Sequence, residues 1–364
     1  MLRVGNTVYL GGRFTHASLV NPDGSVAQTV ERDHLAALDV TQGTLLDWGP
    51  RIVPSGTDNG DIYSLVSYKG VSGTWVIAVG DFTSVATTSN GSSYGTSTRQ
   101  HVAAFLNDRY GSLTSFAPDV SYRPRTALVS GATLYLGGSF TKLDGQKRSG
   151  LGSVTLPTGT LNTWAPSANG GVDQLAGLAN GNIAVAGEFT SVSDGTHTTT
   201  TPYLAVVTPG GALAWTAASP APSAKALCVT TNNNDVYVGE GLNGNAVAAF
   251  NGDSGVRLWQ KGTNGDVQAL GFADGQLFAG GHFGKFLDQG GTAVKIKKLA
   301  ALDPATGLVD TAWKTGVAPA ASLGVWGITG TDASNPDKLF IGGDFTSLKQ
   351  TPSWRFGQYS VTGS

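Results

Sequence analysis

The chain has one cysteine and one methionine in 364 residues, and only 13 % of it is charged, against about a quarter in an ordinary globular protein. A single cysteine excludes any disulfide within the chain. Cys228 lies in the apolar run Ala226-Leu227-Cys228-Val229, with no adjacent charge to favour a thiolate, so a buried inert thiol is expected and a nucleophile is not. No apolar run approaches the roughly 20 residues of a membrane helix, and no membrane insertion is expected. The net charge is -2, with Lys and Arg scattered, which removes the basic footprint of a nucleic-acid binder. The N-terminus lacks the basic-then-apolar pattern of a signal peptide. For a protein that works outside the cell, the export signal is expected upstream of this chain.

What the chain has in quantity is glycine, 52 residues, and a motif that uses it. Leu134-Tyr135-Leu136-Gly137-Gly138-Ser139-Phe140-Thr141 is its clearest copy; others end at Gly12-Arg13-Phe14, Gly80-Asp81-Phe82, Gly187-Glu188-Phe189, Gly281-His282-Phe283 and Gly343-Asp344-Phe345. A degraded copy reads Gly239-Glu240-Gly241-Leu242. Spacings of roughly 40 to 70 residues are those of propeller blades and exceed the period of leucine-rich or tetratricopeptide arrays. A glycine pair ending an apolar strand allows a sharp bend or close backbone approach. The rival reading, a phosphate cradle, needs a helix after the glycines, and Thr, Ser and Gly follow instead.

In the third repeat, strands are expected over Arg125 to Ser130, Leu134 to Phe140, Leu151 to Leu156 and Leu161 to Trp164, with Pro157 to Gly159 turning the last pair. The third strand recurs as Leu35-Ala36-Ala37-Leu38-Asp39, Val102-Ala103-Ala104-Phe105 and Leu299-Ala300-Ala301-Leu302-Asp303. The fourth carries an aromatic: Trp48, Phe116, Trp164, Trp215, Trp259 and Trp313. Regular recurrence predicts packing between neighbouring sheets, with a surface row for stacking sugars as the rival.

The double glycine closing the second strand and the Trp on the fourth resemble kelch-type blades. The fuller pattern G-G-x-F-T, Arg, L-A-A-L-D, T-G, Trp is similar to the delta-sixty-type repeat propellers of large surface or secreted proteins, notably of actinobacteria. Gly137, Gly138, Phe140, Thr141, Arg148, Gly159 and Trp164 carry it in one repeat, and Arg32, Asp39, Gly43 and Trp48 in another. The resemblance implies an all-β, seven-bladed β-propeller with kelch-like four-stranded antiparallel blades and almost no helix, one domain over residues 1–364. It implies little about function, since propellers host many activities. Insertions after the motif, His16 to Asp33, Ser84 to Gln100, Ser191 to Pro202 and Gly284 to Lys298, would emerge on the propeller's top face, as functional surface or as mobile decoration.

Chemistry is sparse. The five histidines, His16, His34, His101, His197 and His282, show no paired metal-ligand spacing, and His34 and His101 occupy the same place in their repeats. No G-x-S-x-G elbow appears, and a copper-radical oxidase of the kelch class would need a Tyr cross-linked to a Cys that here lies inside a first strand. No metal and no cofactor is expected. The variable position of the motif is read as Arg13, Asp81, Ser139, Glu188, Glu240, His282 and Asp344. Four carboxylates there could supply a glycosidase pair, or a solvent-facing strand end could simply tolerate any polar residue.

A second varied position lies on the innermost strands, where alignment groups Tyr63, Asp173 and Gln268 with Thr126, Lys225 and Trp326. Asp61 and Asp266, just upstream, are read as members of Asn-Gly-Asp turns in preference to cation ligands. Trp326 and Trp354 lie outside the packing series and are expected near the top face as stacking platforms. The candidate ligand-binding residues are therefore Trp326, Trp354, Tyr63, Asp173, Gln268, Asp81, Glu188, His282 and Asp344. The expected function is a non-enzymatic extracellular or cell-surface binding or adhesion module for a glycan or protein, monomeric in isolation; the alternative is a carbohydrate-active enzyme using a carboxylate pair. The first innermost strand and the last outer strand both read as incomplete, so a further strand is expected upstream of Met1.

Overall fold

The computed structural model describes residues 1–89, 92–216, 225–242, 244–287, 293–313, 316–319, 324–329, 338–349 and 351–361. Among these residues the chain is all-β, without a helix, and so without one long and apolar enough to cross a membrane. Its contacts group it into two compact units. Met1–Leu19, Val26–Val172 and Ser193–Thr198 make the first; Val20–Ser25, Asp173–Val192 and Thr199–Ser364 make the second.

In the first unit, three antiparallel sheets follow one another along the chain. Sheet 1 is Leu2–Val4, Thr7–Gly11, Leu35–Asp39 and Thr44–Leu45; sheet 2 is Asp61–Gly70, Gly73–Asp81 and Val102–Leu106; sheet 3 is Pro124–Ser130, Thr133–Gly138 and Leu151–Thr155. Period-two alternation decides which neighbour each side chain meets. On Gly73–Asp81, Val76 and Ala78 enter the core shared with sheet 1, while Trp75, Ile77 and Val79 enter the core shared with sheet 3. Both faces of the strand are thus buried, and its sequence reads as one apolar run.

Among the described residues of the second unit, four sheets built on the motif strands follow in turn, beside smaller ones. Sheet 4 contains Val172–Gly177, Ile183–Gly187, Leu204–Val207 and Leu213–Thr216; sheet 5 contains Lys225–Asn232, Asp235–Gly241, Ala246–Asn251 and Arg257–Gly262. Sheet 6 contains Val267–Ala273, Gln276–Gly281 and Leu299–Leu302, and sheet 7 contains Val325–Thr329, Lys338–Gly343 and Phe356–Ser360. The same alternation holds. Val236 and Val238 face the sheet 4 side while Tyr237 faces sheet 6, and Ala300 and Leu302 face sheet 5 while Leu299 and Ala301 face sheet 7.

The aromatics of the fourth segment are packing residues. Trp48, Phe116, Trp164, Trp215, Trp259 and Trp313 are all buried. Trp48 and Trp259 also donate Nε1–H to carbonyls of the following sheet, at Leu106 (3.0 Å) and Pro304 (2.8 Å). The fourth strand itself is shorter than expected in sheets 2, 3 and 6, where it is a single bridge: Phe105–Leu113, Val154–Leu161 and Leu302–Val309. In sheets 2 and 3 a motif arginine also holds the outer segment: Nη2 of Arg99 donates to the Thr114 carbonyl at 2.6 Å, and that of Arg148 to the Asn162 carbonyl at 2.9 Å.

Candidate functional site

The two glycines that end the second strand organise everything near them. In five repeats the innermost strand places two residues opposite the first of the pair's neighbours and bulges. Ile62 pairs with Gly80 and Ser64 with Val79, leaving Tyr63 as the extra residue. The same count leaves Arg125 between Pro124–Gly138 and Thr126–Gly137, and Leu227 between Ala226–Glu240 and Cys228–Gly239. It leaves Gln268 between Val267–Gly281 and Ala269–Gly280, and Trp326 between Val325–Gly343 and Gly327–Gly342. A bulge re-aims its extra side chain and often marks a functional edge. Tyr63, Arg125 and Trp326 are exposed, and Leu227 and Gln268 half-buried.

Two expected members of this series are therefore corrected. Thr126 is buried and pairs with Gly137, one residue past the bulge. Lys225 lies two residues before it, opposite Gly241. Tyr63, Gln268 and Trp326 do share one place, and Asp173 is half-buried on Val172–Gly177.

The carbonyl two residues before the bulge comes down onto the second glycine. A Cβ there would stand 2.1 Å from Asp61 O at Gly80, 2.5 Å from Arg123 O at Gly138, and 2.0 Å from Asp266 O at Gly281. That is why these positions are glycine, as is Gly343, where a Cβ would stand 2.1 Å from Gly324 O. On its other side the same glycine donates to a residue in the left-handed conformation: His34, His101, Gly150, Tyr203, Lys298 and Arg355, with φ of 67 to 73°. Each of these donates its own N–H back to the carbonyl of the motif phenylalanine, as His101 does to Phe82 (2.8 Å) and Arg355 to Phe345 (3.0 Å). Only one of the six is glycine, although each of the others costs about 1 kcal/mol or more in this conformation. The reciprocal bonds hold them there. His34 and His101 are structural members of this lock, each with Nδ1 3.1 Å from the glycine carbonyl.

The fifth repeat breaks the rule in an informative way. Gly239 pairs with Val247 and Glu240 with Ala246, so Glu240 stands at the second-glycine position and Gly241 at the variable one. The placement of Glu240 among the variable residues is thereby corrected. Here the third strand begins one residue earlier in a regular ladder, a Cβ is tolerated, and the Glu240 carboxylate is fully buried with Gln260 Nε2 at 3.3 Å.

The variable positions are mostly matched to the next sheet. Arg13 lies 3.8 Å from Asp61, Asp81 2.8 Å from Arg123, and Glu188 3.3 Å from Lys225. Where Gly241 has no side chain, the Asp266 carboxylate occupies the space and accepts from Leu242 N at 3.0 Å. His282 Nδ1 is 3.9 Å from the same carboxylate, and Asp344 is 3.9 Å from Arg355. Among the described residues no group of three or more His, Cys, Asp or Glu is placed to hold a metal. Burial pushes the Cys228 thiol up to about 12, so it stays protonated.

Exposed aromatic surface gathers at this same end of the sheets. Trp326 is 52 % and Trp354 66 % exposed. They flank the glycine pair of sheet 7, Trp326 on the bulge opposite Gly342 and Gly343, and Trp354 just before Arg355, whose carbonyl accepts from Gly343 N. In the first unit, Tyr63 and Tyr122 are 43 % and 47 % exposed. Arg123 lies 5.0 Å over the Tyr122 ring while pairing with buried Asp81. Partial burial, then Asp81 and Asp61, hold the Tyr63 phenol above its ordinary range. Tyr122, Arg123 and Arg125 were not singled out by the sequence reading; the signal available was the extra residue between the Pro124 and Thr126 positions.

No family model and no curated protein matches the chain. Among solved structures 522 chains match. One is the crystal structure of the computationally designed Ika8 protein, with a TM-score of 0.50 and 14 % identity over 96 % of this chain and 97 % of that one. At that identity the likeness concerns the fold alone.

Proposed function

We propose that the chain is a non-enzymatic binding or adhesion module, working outside the cell or at its surface, whose seven sheets are the blades of a kelch-like, delta-sixty-type propeller. Its partner is a glycan or an extracellular protein, met at the end of the sheets where the motif lies. The observation that carries the reading is the separation of roles at that end. Backbone bonds fix the geometry in six repeats, and the residue at the bulge is a different one in each of the five repeats that show it, open to solvent as Tyr63, Arg125 and Trp326. Exposed rings beside fixed polar groups suit partners that offer both a C–H face and hydroxyls.

The enzymatic alternative loses support from the same geometry. A glycosidase needs two carboxyl groups set at a fixed separation across the scissile bond, yet Asp81, Glu188 and Asp344 are each placed beside a cation, Arg123, Lys225 and Arg355. The test is a printed array of neutral and acidic glycans probed with the labelled chain, run beside a panel of extracellular proteins. A defined set of hits in either supports the module. Turnover of a bound glycan would replace it with the enzyme.

A further inference from the structure

A cleft of about 490 Å³ opens in the first unit, between the residues that follow the motif in sheets 1 and 2. Asp33, His34 and Arg51 supply its polar side, and Pro54, Ala86 and Thr96 its remaining wall. Its floor is tied on both flanks by backbone. Ile52 N donates to Asp33 O (3.3 Å), Val53 N to Ser84 O (3.0 Å), and Ala86 N to Arg51 O (2.9 Å). The site is therefore preformed, as small-molecule sites usually are.

The chemistry of the polar side selects among ligands. Arg51 Nε donates to Asp33 at 2.6 Å and Nη2 to Glu31 at 3.0 Å. A guanidinium has five N–H donors and a carboxylate about four acceptor sites, so these two bonds leave donors and acceptors side by side at the mouth. Adjacent hydroxyls, each both donor and acceptor, satisfy such a pair. The charge of Arg51 is already met by Asp33 in the lining and by Glu31 beside it, which disfavours carboxylate, sulfate or phosphate ligands. Pro54 and Ala86 offer apolar surface for a C–H face, and the volume lies within the roughly 300–1,000 Å³ of small-ligand sites.

We propose that this cleft binds a neutral sugar, one or two rings of a glycan, held by the Asp33–Arg51 pair. The proposal rests on the reading of the chain as a binding module and names a glycan as its ligand. Saturation-transfer NMR on the full chain tests it, with neutral hexoses, a deoxyhexose and an N-acetylhexosamine as probes and glucuronate as the acidic control. Thr96 is exposed on a strand, so Thr96→Trp should fill the cleft without unfolding it. Asp33→Asn removes the charge pair with little change of shape, and decides the matter should Thr96→Trp lower the melting temperature. The expected result is saturation of at least one neutral sugar, a fall of fivefold or more in both cleft variants, and no glucuronate signal. Three results overturn it: no neutral sugar saturates, glucuronate is preferred, or the signal survives the cleft variants and vanishes with the tryptophans. The last would remove the cleft while leaving the module standing, and hits on the printed array with no monosaccharide signal would do the same.

Discussion

The two units build the same lock at the same end of their sheets and equip it with different side chains. In the first, Arg32, Arg99 and Arg148 reach from the lead-in of the third strand to a carbonyl of the fourth segment. In the second, Thr201 and Ser353 stand at that place, and their hydroxyls turn back to the start of their own strand, to Leu204 O (2.6 Å) and Phe356 O (2.7 Å). The ion pairs differ likewise. Asp81 is 2 % exposed and 2.8 Å from Arg123, whereas Asp344 is 3.9 Å from an Arg355 side chain that is 78 % exposed. The difference teaches that the backbone lock suffices to make the sheet end, and that side chains at one and the same position range from buried support to open surface.

The largest effect should be indifferent to the unit. Phe140 and Phe283 are both fully buried under the lock, so Phe140→Ala and Phe283→Ala should each cost about 3–5 kcal/mol, read by urea denaturation. A cost confined to one unit would break the comparison. Next come the carboxylates. Asp81→Ala leaves Arg123 unpaired in a partly shielded place and should cost about 2 kcal/mol, below the 3–5 of a fully buried pair; Asp344→Ala should cost about 0.5 kcal/mol or less. Equal costs would show that burial does not separate the two positions.

Smaller effects test the left-handed residues. Arg355→Val should lower stability by about 1–2 kcal/mol relative to Arg355→Gly, since a β-branched residue fits φ of 67° poorly. His101, in the first unit, adds a pH dependence. Desolvation is the largest cause lowering its pKa from the ordinary 6.5, against the Gly80 carbonyl and Asp81. The folded state then binds its proton less readily than the unfolded chain, so this contribution is complete above pH 6.5 and is lost as pH falls from there through the folded value. Melting temperature should decline over that interval, and His101→Gln should flatten the decline. An unchanged profile would count against the assignment.

Much of the frame was legible in the sequence because its causes are local. Glycines before a buried phenylalanine, apolar alternation and a recurring Trp each act within one repeat, and the sheets and their packing follow. The site was less legible because it depends on a count made between strands. One extra residue on the innermost strand decides that Arg125 and Leu227, and not Thr126 and Lys225, stand at the bulge, and no composition reveals it. Glu240 was misplaced for the same reason: its register is fixed by Ala246 and Val247 across the sheet. The carboxylates looked like a ring of candidate acids because their cationic partners, Arg123 and Lys225, come from the following repeat, dozens of residues away.

The central claim is that backbone holds the motif end and displayed side chains do the recognising. The most direct test is to replace Trp326 and Trp354 together with Ala and to measure, on one preparation, the melting temperature and binding to the strongest hit found for the unaltered chain. The account predicts affinity weakened more than tenfold with the melting temperature within a few degrees, since exposed anchors contribute to binding far more than to folding. Unchanged affinity, or a collapse of stability with binding per folded molecule preserved, would contradict it.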